Sequence, residues 1–134
     1  MRDNIPRELA VRYAKYCDDK EFDNMAGIMV DDVEMGAENF QTNSLEDFKG
    51  VLQLLHDYSA TMHMVGNQFG EWDGDTWQGE TYCLASHIKE VDGVERNWEL
   101  AIRYQDTISL VDGEYKYTRR YLKVVWEADR PLKS

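Results

Sequence analysis

The stretch NWELAIRYQDTISLVDG, residues 97–113, decides the fold class of this chain. Every second residue from Trp98 to Leu110 is apolar except Asp106, while the intervening positions are mostly polar, which is typical of a β-strand with one buried face. The sequence VDG at 111–113 then predicts a tight turn. We expect Asp106 to point inward, where a carboxylate must be hydrogen-bonded, ion-paired or protonated.

Two further turn signals extend this strand into a sheet. DGD at 73–75 and VDG at 91–93 divide the chain after Ala60 into long runs with strand character. Short turns between consecutive strands predict an antiparallel meander, and runs this long are expected to contain bends or bulges. The four predicted strands cover residues 60–72, 76–90, 97–111 and 115–127.

The residues before Ala60 favour helices. Pro6 suits the first turn of a helix, and Ser44 with Asp47 is a plausible cap for a later one. Helices followed by a meander indicate an α+β fold, in one domain of 134 residues, with a strongly curved antiparallel sheet wrapped around the N-terminal helices as a cone that encloses a pocket. The predicted elements are helices over 6–19, 21–29 and 45–58, a short strand over 30–35 and a loop over 36–43.

The composition narrows the classes of partner. The formal net charge of −11 repels phosphate backbones and anionic lipids, so we expect neither nucleic acid nor membrane as a partner. A neutral or cationic small molecule, or another protein, stays open. Two cysteines outside any C-x-x-C pattern, and an N-terminus without the apolar run of a signal peptide, predict a cytoplasmic protein.

Two of the three histidines are candidates for chemistry. His63, in TMHMVGN at 61–67, lies on the first strand of the meander. On the next strand, His87 lies on the same face as several small residues, which leave room for a pocket. Both histidines are therefore predicted to face one cavity. His56 is expected at the surface. For His63, local reasoning alone favours a hydrogen bond in the core. The spacing of the histidines matches no zinc motif, and no metal site is predicted.

Two carboxylates have competing interpretations. Asp18 ends the first helix, where its charge opposes the helix dipole, and it lies on or beside the buried face. In the alternative interpretation, Asp18 or the adjacent Asp19 only caps the next helix. Asp106 is either part of a reactive site or a structural partner for a backbone group or for Arg120.

Four segments together resemble the SnoaL-like branch of the nuclear-transport-factor-2-like superfamily. The resemblance covers nearly the whole chain in order and includes motifs of scytalone dehydratase, bile-acid dehydratase and hexachlorocyclohexane dehydrochlorinase. It implies the cone-shaped α+β fold named above. The segments are YAKYCDDKEFDNMAGIMVDDVEM (13–35), TMHMVGNQF (61–69), GETYCLASHI (79–88) and RYQDTISLVDGEYKYTRR (103–120).

The resemblance implies a set of catalytic residues. In these families an aspartate at the end of the first helix orients a histidine of the opening strand, which here are Asp18 and His63. The dehydratases add a tyrosine of the first helix, matching Tyr13, and scytalone dehydratase adds a second histidine, matching His87. Tyr13 or His87 would donate a hydrogen bond to the reacting groups.

The resemblance also implies supporting residues and one departure. The Tyr-x-Asp of the third strand corresponds to Tyr104 and Asp106, and the late arginine of the dehydrochlorinase corresponds to Arg120. Where scytalone dehydratase has a tyrosine directly before its aspartate, this chain has Cys17. That difference leaves Tyr13 or Tyr16 to substitute in activating water.

Taken together, the sequence predicts a cofactor-free lyase. The expected reaction is a dehydratase-type elimination on a small hydrophobic cyclic, polyketide-like or steroid-like molecule, with an Asp-His base. An isomerase or polyketide cyclase with the same base, and a non-catalytic binding subunit such as a dioxygenase small subunit, stay open. Tyr82, Leu84 and Ile88 predict an apolar outer face suited to an interface. The resemblance to the superfamily implies a homodimer or homotrimer.

Overall fold

Helices come first along the chain and the long strands follow, as the sequence predicts. A computed structural model describes residues 2–132. Short 3₁₀ segments occupy Arg2–Asn4, Phe22–Gly27 and Gln53–Asp57. The main elements are α1 (Ile5–Asp18), β1 (Met29–Ala37), β2 (Phe40–Thr42), α2 (Leu45–Leu52), β3 (Ala60–Asp73), β4 (Thr76–Val91), β5 (Val94–Val111) and β6 (Glu114–Pro131).

The predicted meander is confirmed in β3 to β6, and its turns show why. Val91 pairs with Val94, so the β4–β5 loop has only two residues, Asp92 and Gly93. Both have positive φ, 53° and 81°, as a type I′ turn requires. The β5–β6 turn repeats this geometry. Gly and Asp tolerate the left-handed region, so both VDG sequences fix two-residue hairpins and their register.

The sheet is not purely antiparallel, which corrects one part of the prediction. Its strand order is β2-β1-β6-β5-β4-β3, and β1 runs parallel to β6. The predicted loop over 36–43 is also wrong in part, because Phe40–Thr42 forms a short strand against the end of β1. A parallel pairing between distant segments, and a strand of three residues, leave little local signal in a sequence.

The first helix matches the prediction to within one residue, but the second and third α-helices do not have the predicted extent. The second predicted helix, over 21–29, is a 3₁₀ segment, Phe22–Gly27, and the third ends as an α-helix at Leu52 and continues as 3₁₀ to Asp57. The N-terminal cap of α2 is as expected: Ser44 Oγ accepts from the backbone N–H of Asp47 at 3.1 Å.

The alternation along β5 holds through its centre and fails at its ends. From Leu100 to Ile108 the predicted inward residues are buried. Leu110 is 40% exposed, because it lies next to the turn at the end of the sheet. Asn97 lies on the opposite face of the strand from Asp106 by the period of two, yet it is buried, and its side-chain oxygen accepts from the backbone N–H of His87 at 3.0 Å.

Irregularities in the strands accompany the curvature of the sheet, as predicted. The β3–β4 register shifts between Val65 and Gln68, and the β5–β6 register shifts at two places. The β3 irregularity also contacts α1: Arg7 Nη1 donates to the Gly66 carbonyl at 2.6 Å, and Gln68 Nε2 donates to the Pro6 carbonyl at 2.9 Å. The start of α1 is therefore fixed against β3.

The outer face of the sheet carries exposed apolar side chains. Met62, Met64 and Leu84 are each at least half exposed. The predicted assembly into a dimer or trimer stays a prediction. No helix within residues 2–132 is long and apolar enough to cross a membrane.

Candidate active site

A cavity of about 910 Å³ lies against the inner face of the curved sheet, with α1 and α2 on its other sides. Its wall is mostly apolar, and four ionisable side chains predicted from the sequence lie in it: Tyr13, His63, His87 and Tyr104. The apolar wall includes Phe48, Leu52, Leu100, Ile102, Leu122 and Val124.

Asp18 and His63 form the pair that the resemblance implies. The period of two along β3 directs Thr61 and His63 to one side of the strand, toward the end of α1. His63 Nδ1 lies 2.7 Å from Asp18 Oδ1, Thr61 Oγ1 donates to the same oxygen at 2.9 Å, and the His63 backbone N–H donates to Oδ2 at 2.9 Å. Asp18 therefore binds β3 and does not cap the next helix, so that alternative is wrong.

These contacts favour an ionised Asp18 and determine the tautomer of the His63 ring. Burial raises the pKa of the Asp18 carboxyl, but the hydrogen bonds from the His63 ring and backbone and from Thr61 outweigh it, so the pKa lies below its usual value. An ionised Asp18 accepts the proton of Nδ1, which leaves Nε2 of the neutral ring as a base. Nε2 has no partner among residues 2–132 and is not enclosed by protein, so it faces the cavity.

His87 lies beside His63 but is held differently. It is 4% exposed, and the ring centroids of the two histidines are 5.9 Å apart in an edge-on arrangement. His87 Nδ1 lies 2.8 Å from the Trp98 carbonyl, to which it donates. Burial lowers the pKa of His87, which favours a neutral ring whose Nε2 accepts a hydrogen bond. The donor role implied by the resemblance would need a protonated ring, so the geometry assigns His87 the role of acceptor.

Tyr13 and Tyr104 each bring a hydroxyl group to the wall of the cavity. Their rings meet edge-on with centroids 5.8 Å apart, and Tyr13 also stacks on Phe48 at 6.5 Å. Burial raises the pKa of Tyr13 and that of Tyr104 well above the usual value. Both phenols therefore stay protonated and are suited to donate hydrogen bonds.

Asp106 and Arg120 form a second pair, beneath the cavity wall. Arg120 Nε donates to Asp106 Oδ1 at 2.7 Å and Nη2 to Oδ2 at 3.2 Å, while Thr81 Oγ1 donates to Oδ2 at 2.8 Å. The guanidinium carbon lies 3.7 Å from the ring centroid of Tyr104 and 4.5 Å from that of Tyr13. Neither Asp106 nor Arg120 lines the cavity. Their arrangement fits the structural interpretation given above, as a support for the tyrosines.

Both tyrosines considered as substitutes lie on the first helix, but only Tyr13 lines the cavity. Tyr16 does not line the cavity, and its hydroxyl accepts from Arg12 Nε at 3.0 Å. Cys17 does line the cavity, next to Tyr13. Of the two, only Tyr13 can act there. His56 is exposed at the surface, as predicted.

Three residues of the site were missed by sequence reasoning. Thr61 contacts Asp18, and its position two residues before His63, on the same face of the strand, could have identified it. Tyr58 and Trp98 pack their rings against His87, with centroids at 5.4 Å and 4.9 Å. Tyr58 lies two residues before β3, directly after the 3₁₀ segment that determines its position. Within residues 2–132 there is no group of three or more His, Cys, Asp or Glu side chains placed to hold a metal ion.

The family follows from a sequence comparison. The profile of the SnoaL-like domain matches residues 2–121, which is most of the chain. The chain belongs to the SnoaL-like domain family. No curated protein matches this SnoaL-like chain.

Solved structures share the fold of this SnoaL-like chain. A putative scytalone dehydratase from Novosphingobium aromaticivorans has 22% identity and a TM-score of 0.81, over 100% of this chain and 95% of that one. The hexachlorocyclohexane dehydrochlorinase LinA-type3 from Novosphingobium barchaimii has 19% identity and a TM-score of 0.82, over 99% and 90%. A protein of unknown function with a cystatin-like fold from Nostoc punctiforme has 16% identity and a TM-score of 0.72, over 88% and 86%. These likenesses confirm the α+β cone.

Proposed function

We propose that this SnoaL-like chain is a cofactor-free lyase that removes water from a small hydrophobic cyclic molecule, such as a polyketide-like or steroid-like ketone. The observation that carries the proposal is the 2.7 Å contact between Asp18 Oδ1 and His63 Nδ1, with His63 Nε2 facing the cavity. A histidine held by a carboxylate in a mostly apolar cavity is a general base of fixed tautomer.

The first step is proton removal from carbon. His63 Nε2 takes a proton from the carbon next to the substrate carbonyl, and the ionised Asp18 stabilises the imidazolium that forms. The electron pair of the C–H bond moves onto the carbonyl oxygen as an enolate. Tyr13, a phenol kept protonated by burial, donates a hydrogen bond to this oxygen.

The second step is loss of the hydroxyl group from the neighbouring carbon. The enolate electrons form the new C=C bond while the C–O bond breaks. The His63 imidazolium returns its proton to the departing hydroxide, so that water leaves and the base is regenerated. His87 Nε2, an acceptor in the same cavity, binds the substrate hydroxyl before the reaction and orients its carbon–oxygen bond.

Two alternative functions would give a different product or no product. An isomerase or a polyketide cyclase would use the same base, and the mass of the product separates them, since an isomerase changes no mass. A non-catalytic subunit predicts a cavity blocked by side chains. The open cavity of about 910 Å³ with two unpartnered imidazole nitrogens, within the described residues 2–132, favours catalysis over that role.

The test is turnover of cyclic β-hydroxyketones with apolar bodies, followed by mass spectrometry. We expect a product lighter by one water. His63→Ala and Asp18→Asn should each lower turnover by about 10²–10⁴-fold while the fold is retained by circular dichroism. Asp19→Asn is the matched control, because Asp19 is exposed, adjacent in sequence and paired with Lys15. Full turnover in both active-site variants would contradict the proposal.

A further inference from the structure

A second, smaller cleft lies beside the cavity, near the hairpin that joins β4 to β5. Its volume is about 230 Å³, and the rings of Tyr58, His87 and Trp98 line both this cleft and the cavity. The three rings therefore form a wall shared by two spaces, and the proposed elimination uses only one of them. The other residues that line the cleft are Lys89, Val91, Arg96 and Asp129.

The cleft and the cavity differ in charge. Lys89 and Arg96 line the cleft together with one carboxylate, that of Asp129, which leaves one net positive charge beside a neutral His87. Among residues 2–132, the lining of the cavity contains no lysine or arginine. It contains three carboxylates, those of Glu38, Asp57 and Glu127. In a chain of net charge −11, the cleft is therefore the place that favours an anion, and the cavity disfavours one.

Lys89 is held at the cleft by an aromatic ring and not by a carboxylate. Its Nζ lies 5.1 Å from the ring centroid of Tyr58. Within the described residues 2–132 it has no ion pair, whereas Lys15 and Lys49 each contact an aspartate. A contact with a ring face orients an ammonium group without using all of its three N–H donors. Lys89 can therefore donate to a ligand in the cleft while it stays over the ring.

Arg96 is held in place by Asp129. Its Nε donates to Asp129 Oδ1 at 2.8 Å, and its Nη2 donates to the Asp129 carbonyl at 3.2 Å. These bonds leave Nη1 without a partner in the described part of the chain. The Arg96 side chain is 34% exposed, so the protein shields it in part from water. Since Asp129 balances the charge of Arg96, Lys89 carries the positive charge in excess.

Aromatic and apolar side chains form the rest of the cleft. The rings of Tyr58 and Trp98 stack with centroids 6.2 Å apart, and Val91 adds an apolar surface. Burial, with the nearby charges of Asp57 and Asp129, raises the pKa of Tyr58, so its phenol stays protonated. Its hydroxyl has no hydrogen-bond partner among residues 2–132. A small anion with an apolar body would contact both the rings and the donors.

We propose that this cleft binds a small carboxylate with an apolar body, at a site separate from the cavity in which the elimination is proposed. The carboxylate lies between Lys89 Nζ and Arg96 Nη1, and the body lies against Tyr58 and Trp98. Because His87 belongs to the shared wall, the ligand contacts a residue of the candidate active site. The inference does not depend on the proposed function.

Two-dimensional NMR of nitrogen-15-labelled protein, titrated with three probes, tests the inference. Phenylacetate, phenylacetamide and 2-phenylethylammonium have similar bodies and differ in charge. At the amide signals of Lys89, Val91 and Arg96, we expect phenylacetate to bind about 3- to 10-fold tighter than phenylacetamide, and the ammonium probe to bind weakest. The preference should shrink at high salt. Phe48 and Ile102 line only the cavity and report separately on binding there.

Two substitutions with opposite expected effects test the charges of the cleft. Lys89→Gln should remove most of the preference for phenylacetate over phenylacetamide. Asp129→Asn keeps an oxygen for Arg96 but removes the carboxylate charge, and should tighten phenylacetate binding about 2- to 5-fold. Lys123→Gln is the matched control, because Lys123 is exposed and lines neither space, and it should keep the preference.

Four results would overturn the inference. They are equal affinity of phenylacetate and phenylacetamide at the cleft, phenylacetate shifts confined to Phe48 and Ile102, the same loss of preference in Lys123→Gln as in Lys89→Gln, and no gain in Asp129→Asn. None of them bears on the elimination. The proposed function is judged separately, by the turnover of His63→Ala.

Discussion

Two carboxylates on the inner side of this molecule each bind a nitrogen-containing side chain, Asp106 that of Arg120 and Asp18 that of His63. The surroundings of the two pairs differ. Asp106 and Arg120 are both almost fully buried, and neither lines the cavity. Asp18 and His63 make an equally short contact, but His63 keeps one ring nitrogen open to the cavity. The first pair therefore interacts only with other protein groups. In the second pair, His63 Nε2 has no partner among residues 2–132 and is free to bind a ligand.

The difference separates a structural pair from a reactive one. Asp106 accepts from two arginine nitrogens and from Thr81, and the guanidinium is also covered by tyrosine rings. A guanidinium stays protonated near neutral pH and cannot act as a base, so this pair can only support its neighbours. An imidazole has a second nitrogen, and Asp18 leaves that nitrogen as a base facing the apolar cavity.

The largest expected effect on stability is that of breaking the closed pair. Asp106→Ala leaves the Arg120 charge buried without a partner, and should lower the free energy of unfolding by about 3–5 kcal/mol. Urea denaturation measures this change. Glu80→Gln is the control, because it weakens the more exposed pair with Arg103 and should cost about 1 kcal/mol or less. A loss of the same small size in Asp106→Ala would erase the distinction between the two pairs.

The open pair should respond in turnover and hardly in stability. In Asp18→Asn, the amide oxygen must accept from the His63 backbone N–H, which turns the amide NH₂ toward Nδ1. The ring then carries its proton on Nε2 and is no longer a base. Turnover should fall by about 10²–10⁴-fold, and the free energy of unfolding by only about 1 kcal/mol. Elimination assays and urea denaturation of the same samples show whether the two effects separate.

A smaller effect concerns the pH dependence that His87 imposes. Its folded pKa lies below the usual 6.5 because burial disfavours the charged ring. The unfolded chain therefore binds the proton first, and stability is lost as the pH falls from the unfolded pKa toward the folded one. Between neutral and mildly acidic pH, the free energy of unfolding should fall less steeply in His87→Gln than in the native chain, as measured by urea denaturation at each pH. The same pH dependence of the free energy of unfolding in both proteins would show that His87 is not held neutral.

The meander was predictable from sequence because its signals are local. Each VDG places Asp and Gly at positions of positive φ, and the alternation around Asp106 fixes which side of β5 is buried. The pairing of β1 with β6 was not predictable in this way. It joins Met35 to Arg120 across most of the chain, and no nearby turn specifies it.

The site was only partly predictable for the same reason. Parity put His63 and His87 on one side of neighbouring strands, but local sequence favoured a core hydrogen bond for His63 and a cap for Asp18. The resemblance to a family brought the two together, and the geometry gives a reason: Thr61 and His63 offer three hydrogen-bond donors to one carboxylate. The role of His87 could not be read from sequence, because it depends on the Trp98 carbonyl of the next strand.

The tautomer of His63 tests the account most directly, because it needs no substrate. Nitrogen-15 NMR of labelled protein at neutral pH distinguishes a protonated ring nitrogen from an unprotonated one. The account predicts that His63 carries its proton on Nδ1 and leaves Nε2 unprotonated, and that Asp18→Asn reverses this. A proton on Nε2 of the native protein, or no change in Asp18→Asn, would contradict the claim that Asp18 prepares His63 as a base.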